Sequence, residues 1–535
     1  MGNLEATHGA GALRRRARLE SEQTTAWRRS IARGDVIRHK GRLALLNSTL
    51  TPHQAMTADL LFVRAALDDA GVPFRLIAGA DDRPVIAVDR ADRKAVRAAL
   101  VEACATEPFY AKAPGKRAVL VADGRLSERG KPRVIRLFRP RVEPSGLLAY
   151  GTSTAVQLEF WSFGETEVDA PTENMLMRRT IPTEELVEST VERYGESWRT
   201  FEPMFTPVVS DISFDIDMVF SWVDGTDLEF QRARARRMQS YVVGEGDDHA
   251  ARFRQIDELR YALRSVHLFA PWVRRIFIAT DSPAPYWLAD HPKVTIMRSE
   301  QFFADTSVLP THNSQGVESQ LHNIPGLAEH FLYSNDDMFF GRPLSPHTFF
   351  SPGGITKFIE ADTRIGLGGA NRYRSGFENS ARVNRELLRD RFGVTITRHL
   401  EHSAAPLRKS VIRELEAAFP EDFARTAASP FRSSTDISVT NSLYHYYALA
   451  SGKAERQTNA TVKYVDTTLR TGIADMEELL AKRSYDMFCL NDGSFPELSA
   501  EDRAFAVRSF LDRYYAIPAP WEKSDVLDAE ISAAR

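Results

Sequence analysis

The chain has 535 residues, of which 43% are apolar and 26% charged, with a net charge of -3. That composition suits a globular protein of roughly two to four domains, long enough to bury its cores without staples. The near-neutral balance excludes nucleic-acid binding by bulk charge, and two cysteines, Cys104 and Cys489, exclude a disulfide scaffold or a cysteine zinc module.

No apolar run reaches the length of about 18 residues that a spanning helix needs. No apolar segment follows the N-terminal arginines, so no secretion signal is expected and the predicted compartment is the cytoplasm. Residues 14–42 carry ten Lys/Arg against Glu20, Glu22 and Asp35. Such a basic arm (residues 1–42) suits an anionic membrane surface, and equally a solvated helix with no partner.

Residues 43–165 read as a small α/β domain. Thr51-Pro52 predicts the start of a helix that stops before Gly71. Short β-like runs follow at 74–78, 85–88, 118–121, 134–138 and 155–162, with a helix at 93–104. No catalytic constellation stands out there. Residues 166–214 are polar and proline-containing, and read as a connector with one helix near 184–194.

A second domain is expected over residues 215–493, with 494–535 as a tail. Residues 216–223 are nearly continuously apolar, as in strands buried on both faces. A helix at 257–269, strands at 275–280 and 294–297, a helix at 315–323 and a strand at 331–333 follow. This alternation predicts a doubly wound, mostly parallel sheet. From about residue 381 the pattern is mostly helical: 383–390, 407–419 and 436–450.

Three predicted strands end in acids: Asp224, Asp281 and the pair Asp336-Asp337 after Asn335. Ligands of open α/β sheets bind outside the carboxyl ends of strands, where carboxylates can hold a hard divalent cation. Successive strand residues point to opposite faces, so either the chain turns here or one acid alone meets metal. A plain Asx turn is the simpler alternative. Glu318 and His322, four apart, fit either a shared ligand site or a helix-surface pair. His402 and Arg432 are residue types that phosphoryl transfer uses, a proton acceptor and a planar phosphate fork. A structural histidine ahead of a helix is the plainer reading.

Four ordered blocks carry a family resemblance: IDMVFSWVDGTD at 216–227; a long block at 252–341 with VESQLHNIPGL and FLYSNDDMFFG; residues 402–450 with PLRKSVIRELEAAFPEDFARTAASPFRSSTDIS; and MFCLNDG at 487–493. The chain resembles the Stealth family of capsular and exopolysaccharide sugar-phosphate transferases, which includes the animal N-acetylglucosamine-1-phosphotransferase. The resemblance implies a GT-A-like catalytic core with a helical insertion. It implies transfer of a hexose- or hexosamine-1-phosphate from a nucleotide diphosphate sugar, such as a UDP-sugar, to a glycan hydroxyl. Mg²⁺ or Mn²⁺ would be held at Asp336 and Asp337. His402, Arg432 and Glu318 match the catalytic positions, and Trp222, Asp224, Arg254, Asn491 and Asp492 the substrate-binding ones. The second block departs from the family at Gln255-Ile256, with the acid appearing only at Asp257. The third departs at Ser403-Ala404-Ala405-Pro406. The resemblance implies a glycan acceptor as partner, the basic arm leaves an anionic membrane surface as one option, a homo-oligomer is a further option, and no nucleic acid is expected. The rival readings are a GT-A glycosyltransferase that moves the sugar alone, told apart by its leaving nucleotide, and a silent nucleotide-sugar-binding protein.

Overall fold

Thr51 starts the first long helix as its residue type predicts. Its hydroxyl accepts the Gln54 N–H while the Gln54 side chain accepts the Thr51 N–H, ahead of helix Pro52–Asp69. The computed structural model describes residues 25–238, 256–493, 496–524 and 526. The chain divides into two compact units, Met1–Val208 and Val209–Arg535.

In the first unit, Pro52–Asp69 and Arg93–Ala103 pack on a mixed sheet. Val156–Phe163 sits inside that sheet, parallel to Val85–Asp89 and antiparallel to Val134–Phe138. Two sequence expectations change here. The helix expected near 184–194 is a hairpin, Glu188–Arg193 with Glu196–Phe201. Tyr194 and Gly195 both have positive φ, as a tight hairpin turn requires. The second strand sends Trp198 and Thr200 inward at the two-residue period of a strand, and the Thr200 hydroxyl donates to the Leu76 carbonyl. The supposed connector therefore completes the first core. The basic arm is also partly folded, since Val36–His39 and Arg42–Leu46 pair, burying Val36 and Leu43. Arg33 in that arm pairs with Asp35 and Glu107. Residues 1–24 lie outside the described residues.

The second unit is built on a five-stranded sheet in the order Val294–Met297, Ile276–Ala279, Ile216–Ser221, His330–Asn335, Ala405–Arg408. The first four strands are parallel, as the alternation of strands with helices predicts, and the fifth is an antiparallel edge. That edge takes in Leu407 and Arg408, which were expected to open a helix; the helix starts only at Lys409. A second, three-stranded sheet joins Met338–Phe340, Met487–Asn491 and Val462–Asp466. At the amino end of the main sheet, buried Asp217 takes a two-pronged contact from Arg274 at 2.8 and 2.6 Å. Among the described residues, no helix is long and apolar enough to cross a membrane.

Within the segment expected as a tail, the described residues 496–524 are folded. Helix Ala500–Tyr514 and the turn through Trp521 and Glu522 close the core. Glu522 is buried between two arginines of helix Glu258–Phe269: Arg260 Nε and Arg264 Nε each lie 2.6 Å from its carboxylate. Burial pushes the Glu522 carboxyl up, but Arg264 and Arg260 outweigh it and hold it below the usual range.

A carboxyl lowered in the folded state stabilises above its unfolded pKa, and the gain is lost as pH falls through the folded value. Glu522→Gln should cost about 3–5 kcal/mol at neutral pH, because it strands two buried cations. The gap between wild type and variant should narrow as pH drops below about 4.3, the ordinary Glu value. Urea unfolding at pH 7 and in acid measures both effects; an equal gap at both would contradict the assignment.

Candidate active site

The carboxyl edge of the parallel sheet gathers Ser221, Asn335 and the residues after them. Ser221 lies beside Asn335 in the parallel register, and Tyr333 is two residues earlier on the same face. The Tyr333 hydroxyl stands 2.8 Å from Ser221 Oγ, 3.0 Å from Asn335 Oδ1 and 3.2 Å from Glu318 Oε1. Glu318 is buried, and its other oxygen accepts the Thr440 hydroxyl at 2.7 Å. Burial raises the Glu318 carboxyl, opposed by Thr440, by the charge of Arg432 and by Tyr333. Glu318 thus joins the strand leading to Asp336 to the five-residue π-helix Val439–Leu443.

Glu318 does not share a ligand with His322. The expected helix breaks after Ser314–Glu318, and His322 falls in a separate short turn, Leu321–Asn323. The His322 ring pairs with Glu416 at 2.9 Å instead. Ser314, at the other end of the Glu318 helix, accepts Arg432 Nη2 at 2.8 Å. Gly376 makes room for that arginine, since a Cβ there would lie 2.7 Å from Arg432 Cβ. The loop bearing Arg432 is tied by Asp436, which accepts from Asn313 Nδ2, Ser429 Oγ and Ser433 N, all at 2.8 Å. Burial pushes the Asp436 carboxyl up to about 6.

After Asn335 the chain turns at Asp336-Asp337 and re-enters a strand at Met338. The turn frees both acids from strict alternation and leaves them half-buried. Asp337 Oδ2 lies 3.5 Å from Cys489 Sγ, across the antiparallel pair that sets Met338 against Cys489. Asn491 is two residues on from Cys489. Asp492 is engaged by the Thr467 hydroxyl at 2.5 Å and by Arg503 at 3.4 Å. Sequence reasoning missed Asp466, opposite Asn491, whose carboxylate accepts the N–H of Thr468 and of Gly493 at 3.0 and 3.1 Å. A Cβ on Gly493 would stand 2.0 Å from Asp466 Oδ2, so a side chain there would displace the Asp466 carboxylate.

The other strand-end acids make local hydrogen bonds. Asp281 accepts the Ser299 N–H at 2.8 Å. Asp224 accepts the Thr226 N–H and hydroxyl at 2.9 and 2.7 Å, an Asx turn. Trp222 is 8% exposed and bonded to Ala279 through its backbone N–H. Arg254 lies outside the described residues.

His402 does not precede a helix. It occupies the turn between strands Arg398–Leu400 and Ala405–Arg408. Its ring meets Tyr464 edge to face at 5.2 Å. Burial lowers its pKa. Tyr464 in turn feels Cys489, Asp466, Asp337 and Asp492.

Among the described residues, no three His, Cys, Asp or Glu side chains form a ready metal cage. Mg²⁺ needs none, since it is commonly held by one or two carboxylates together with substrate phosphates. The paired hard oxygens of Asp336 and Asp337 fit Mg²⁺ or Mn²⁺.

Four family models match the chain: Stealth protein conserved region 1 at residues 214–242, region 2 at 252–358, region 3 at 401–449 and region 4 at 477–529. The exopolysaccharide phosphotransferase CpsY of Mycobacterium leprae is 60% identical over 491 residues, 91% of this chain and 90% of that protein. An exopolysaccharide phosphotransferase of Nocardia farcinica is 53% identical over 474 residues, 89% of this chain and 88% of that protein. These spans extend the likeness well into the first unit. Among solved structures, the galactosyltransferase LgtC in complex with donor and acceptor sugar analogs aligns at 11% identity over 57% of this chain and 96% of that one. Its TM-score of 0.28 carries no argument.

Thr440→Val should leave the buried Glu318 oxygen without its donor and destabilise the unit by about 1–3 kcal/mol. Thr440→Ser, which keeps the hydroxyl, should recover most of that loss. Chemical denaturation of both variants measures it, and equal stability of the two would show that the bond contributes nothing.

Proposed function

This chain belongs to the Stealth family, and from that premise we propose that it moves a hexose- or hexosamine-1-phosphate from a nucleotide diphosphate sugar to a glycan hydroxyl. It is a sugar-phosphate transferase, and the product class is a phosphodiester-linked exopolysaccharide. One observation carries the reading of the site: the helix Ser314–Glu318 links Arg432 at one end to the Asn335 strand at the other. A phosphate fork and the turn of Asp336-Asp337 are thereby held in one framework.

In this reading, His402 takes the proton of the attacking acceptor hydroxyl. Its lowered pKa leaves the imidazole neutral at working pH, as a base must be. The acceptor oxygen bonds to the sugar-linked phosphorus, and the bond from that phosphorus to the bridging oxygen breaks. The nucleoside monophosphate leaves. Arg432 holds phosphoryl oxygens as their charge redistributes. Asp336 and Asp337 would hold Mg²⁺ or Mn²⁺, which supplies charge neutralisation at the diphosphate. Asn491 and the Trp222-Asp224 segment would border the substrate.

The leaving group tests the reaction. Nucleoside monophosphate should accumulate with a glycan acceptor and a suitable nucleotide sugar; nucleoside diphosphate would instead identify transfer of the sugar alone.

The residues make their own forecast. Asp336→Asn and Asp337→Asn should abolish turnover with the melting temperature kept. His402→Ala should lose about 10²–10⁴-fold in kcat with donor binding retained. Arg432→Lys should also be poor, because an ammonium lacks the two-pronged fork, whereas His399→Ala should be mild. For wild type, kcat/KM should fall only on the acid side, below about pH 6.5, the ordinary His value, because burial lowers the His402 pKa. Near wild-type turnover by both aspartate variants, or an essential His399 beside a dispensable His402, would overturn these assignments.

A further inference from the structure

A histidine that acts as a base is usually oriented by a hydrogen bond from its second ring nitrogen to a carboxylate or carbonyl. His402 lacks that support, since its ring makes no hydrogen bond among the described residues. Two aromatic rings from different elements enclose it instead. Tyr464 meets it edge to face at 5.2 Å and 69°, and Phe377, from helix Gly376–Phe392, lies tilted at 6.3 Å. Phe377 is committed to a closer partner, stacking on His399 at 4.7 Å. Tyr464 is the nearer wall.

Tyr464 also belongs to the acid side of the site. It stands opposite Cys489 in the parallel pair Val462–Asp466 with Met487–Asn491, and Cys489 stands opposite Met338, the residue after Asp337. Cys489 Sγ reaches Asp337. One row of the three-stranded sheet therefore runs from the acid turn to the ring that touches His402. Tyr464 is 43% exposed, and its hydroxyl makes no hydrogen bond among the described residues. Its strand neighbour Val465 is fully buried and accounts for the packing of that strand. A half-exposed aromatic with an unused hydroxyl is left to act through its ring.

We propose that Tyr464 is a positioning residue for His402: its ring edge sets the plane of the imidazole and keeps water from it, fixing the base relative to Asp336 and Asp337. This rests on the reading of His402 as the base.

The surroundings are consistent with a neutral wall. Burial raises the Tyr464 hydroxyl pKa, and Cys489, Asp466, Asp337 and Asp492 add to the rise, so the phenol stays protonated in use. Around His402, burial alone accounts for the lowered pKa. On its own segment stand His399 and Glu401. Across from it, Glu378 and Arg382 of the Phe377 helix act on His399, and Tyr464 faces it from the second sheet. Removing the Tyr464 ring wets the imidazole, so its pKa rises toward the ordinary value and the acid limb of kcat/KM moves to higher pH.

The test uses the full chain with Mg²⁺, a turned-over nucleotide sugar and an acceptor, comparing Tyr464→Ala, Tyr464→Phe, His402→Ala and the double variant Tyr464→Ala/His402→Ala. Tyr464→Ala should lose about 10–100-fold in kcat, the scale of a small misplacement of a reacting group. KM for the nucleotide sugar should hold, and the acid limb should shift upward. Tyr464→Phe should restore the rate to within about threefold of wild type with the limb in place, because the ring is kept. The double variant should be no slower than His402→Ala alone, since a residue acting through the base has nothing left to position. If Tyr464→Ala aggregates, Tyr464→Leu keeps apolar volume without a ring and should show the same loss and shift. Tyr464→Phe as impaired as Tyr464→Ala would overturn the proposal, as would an unshifted limb or additive losses in the double variant. An active His402→Ala enzyme would instead overturn the assignment of the base, a separate result.

Discussion

The second unit depends on a carboxylate withheld from water. Glu318 is buried, yet both its oxygens are engaged, one by the Tyr333 hydroxyl and the other by Thr440. Burying an unsatisfied carboxylate would be far costlier than any bond it makes, so its hydroxyl donors must stay in place. Three elements are thereby held together: a central strand, a short helix and a π-turn. The same short helix reaches Arg432 through Ser314. Shifting any one of these elements breaks a buried polar contact, which makes the framework rigid without a disulfide.

That rigidity matters because phosphoryl transfer is mainly a problem of placement and charge. The acids leave the sheet at a turn, the arginine comes from a loop tied by Asp436, and the histidine comes from a turn beside the antiparallel edge strand. None of the three is near another in sequence. The three-stranded sheet adds a further fixed row, from Asp337 through Cys489 to Tyr464, so the acid turn and the imidazole face one scaffold. Glycine at 376 and 493 serves the same end by allowing close approach of Arg432 and of Asp466.

The buried cation pair around Glu522 shows a similar economy at the C-terminus. Two arginines of one helix converge on one acid of the closing turn, and Arg264 also bonds the Tyr515 carbonyl at 2.9 Å. A segment expected as a tail thus becomes part of the core, with its acid paired there. Long-range ion pairs of this kind leave no local pattern in a sequence.

The parallel strands were legible because burial on both faces favours apolar runs, and 218–220 and 276–279 have them. Helix Pro52–Asp69 was legible because its cap is a local hydrogen-bond motif. The Asn335-Asp336-Asp337 turn and the family blocks, with His402 and Arg432, were readable as well, since they are contiguous letters. The strand Val462–Asp466 was not: its five residues, VKYVD, follow no two-residue period, and the strand it pairs with starts only at Met487. For the same reason Tyr464 and Asp466 were invisible, and so was the pairing of His322 with Glu416 rather than with a site shared with Glu318. Sequence by itself determined the elements and chemical groups whose causes are local, namely periodicity, caps and motif residues. Only the tertiary structure decided which acids are spent on turns, which ring encloses the histidine and which distant segment closes the core, because those outcomes follow from packing between residues that share no sequence neighbourhood.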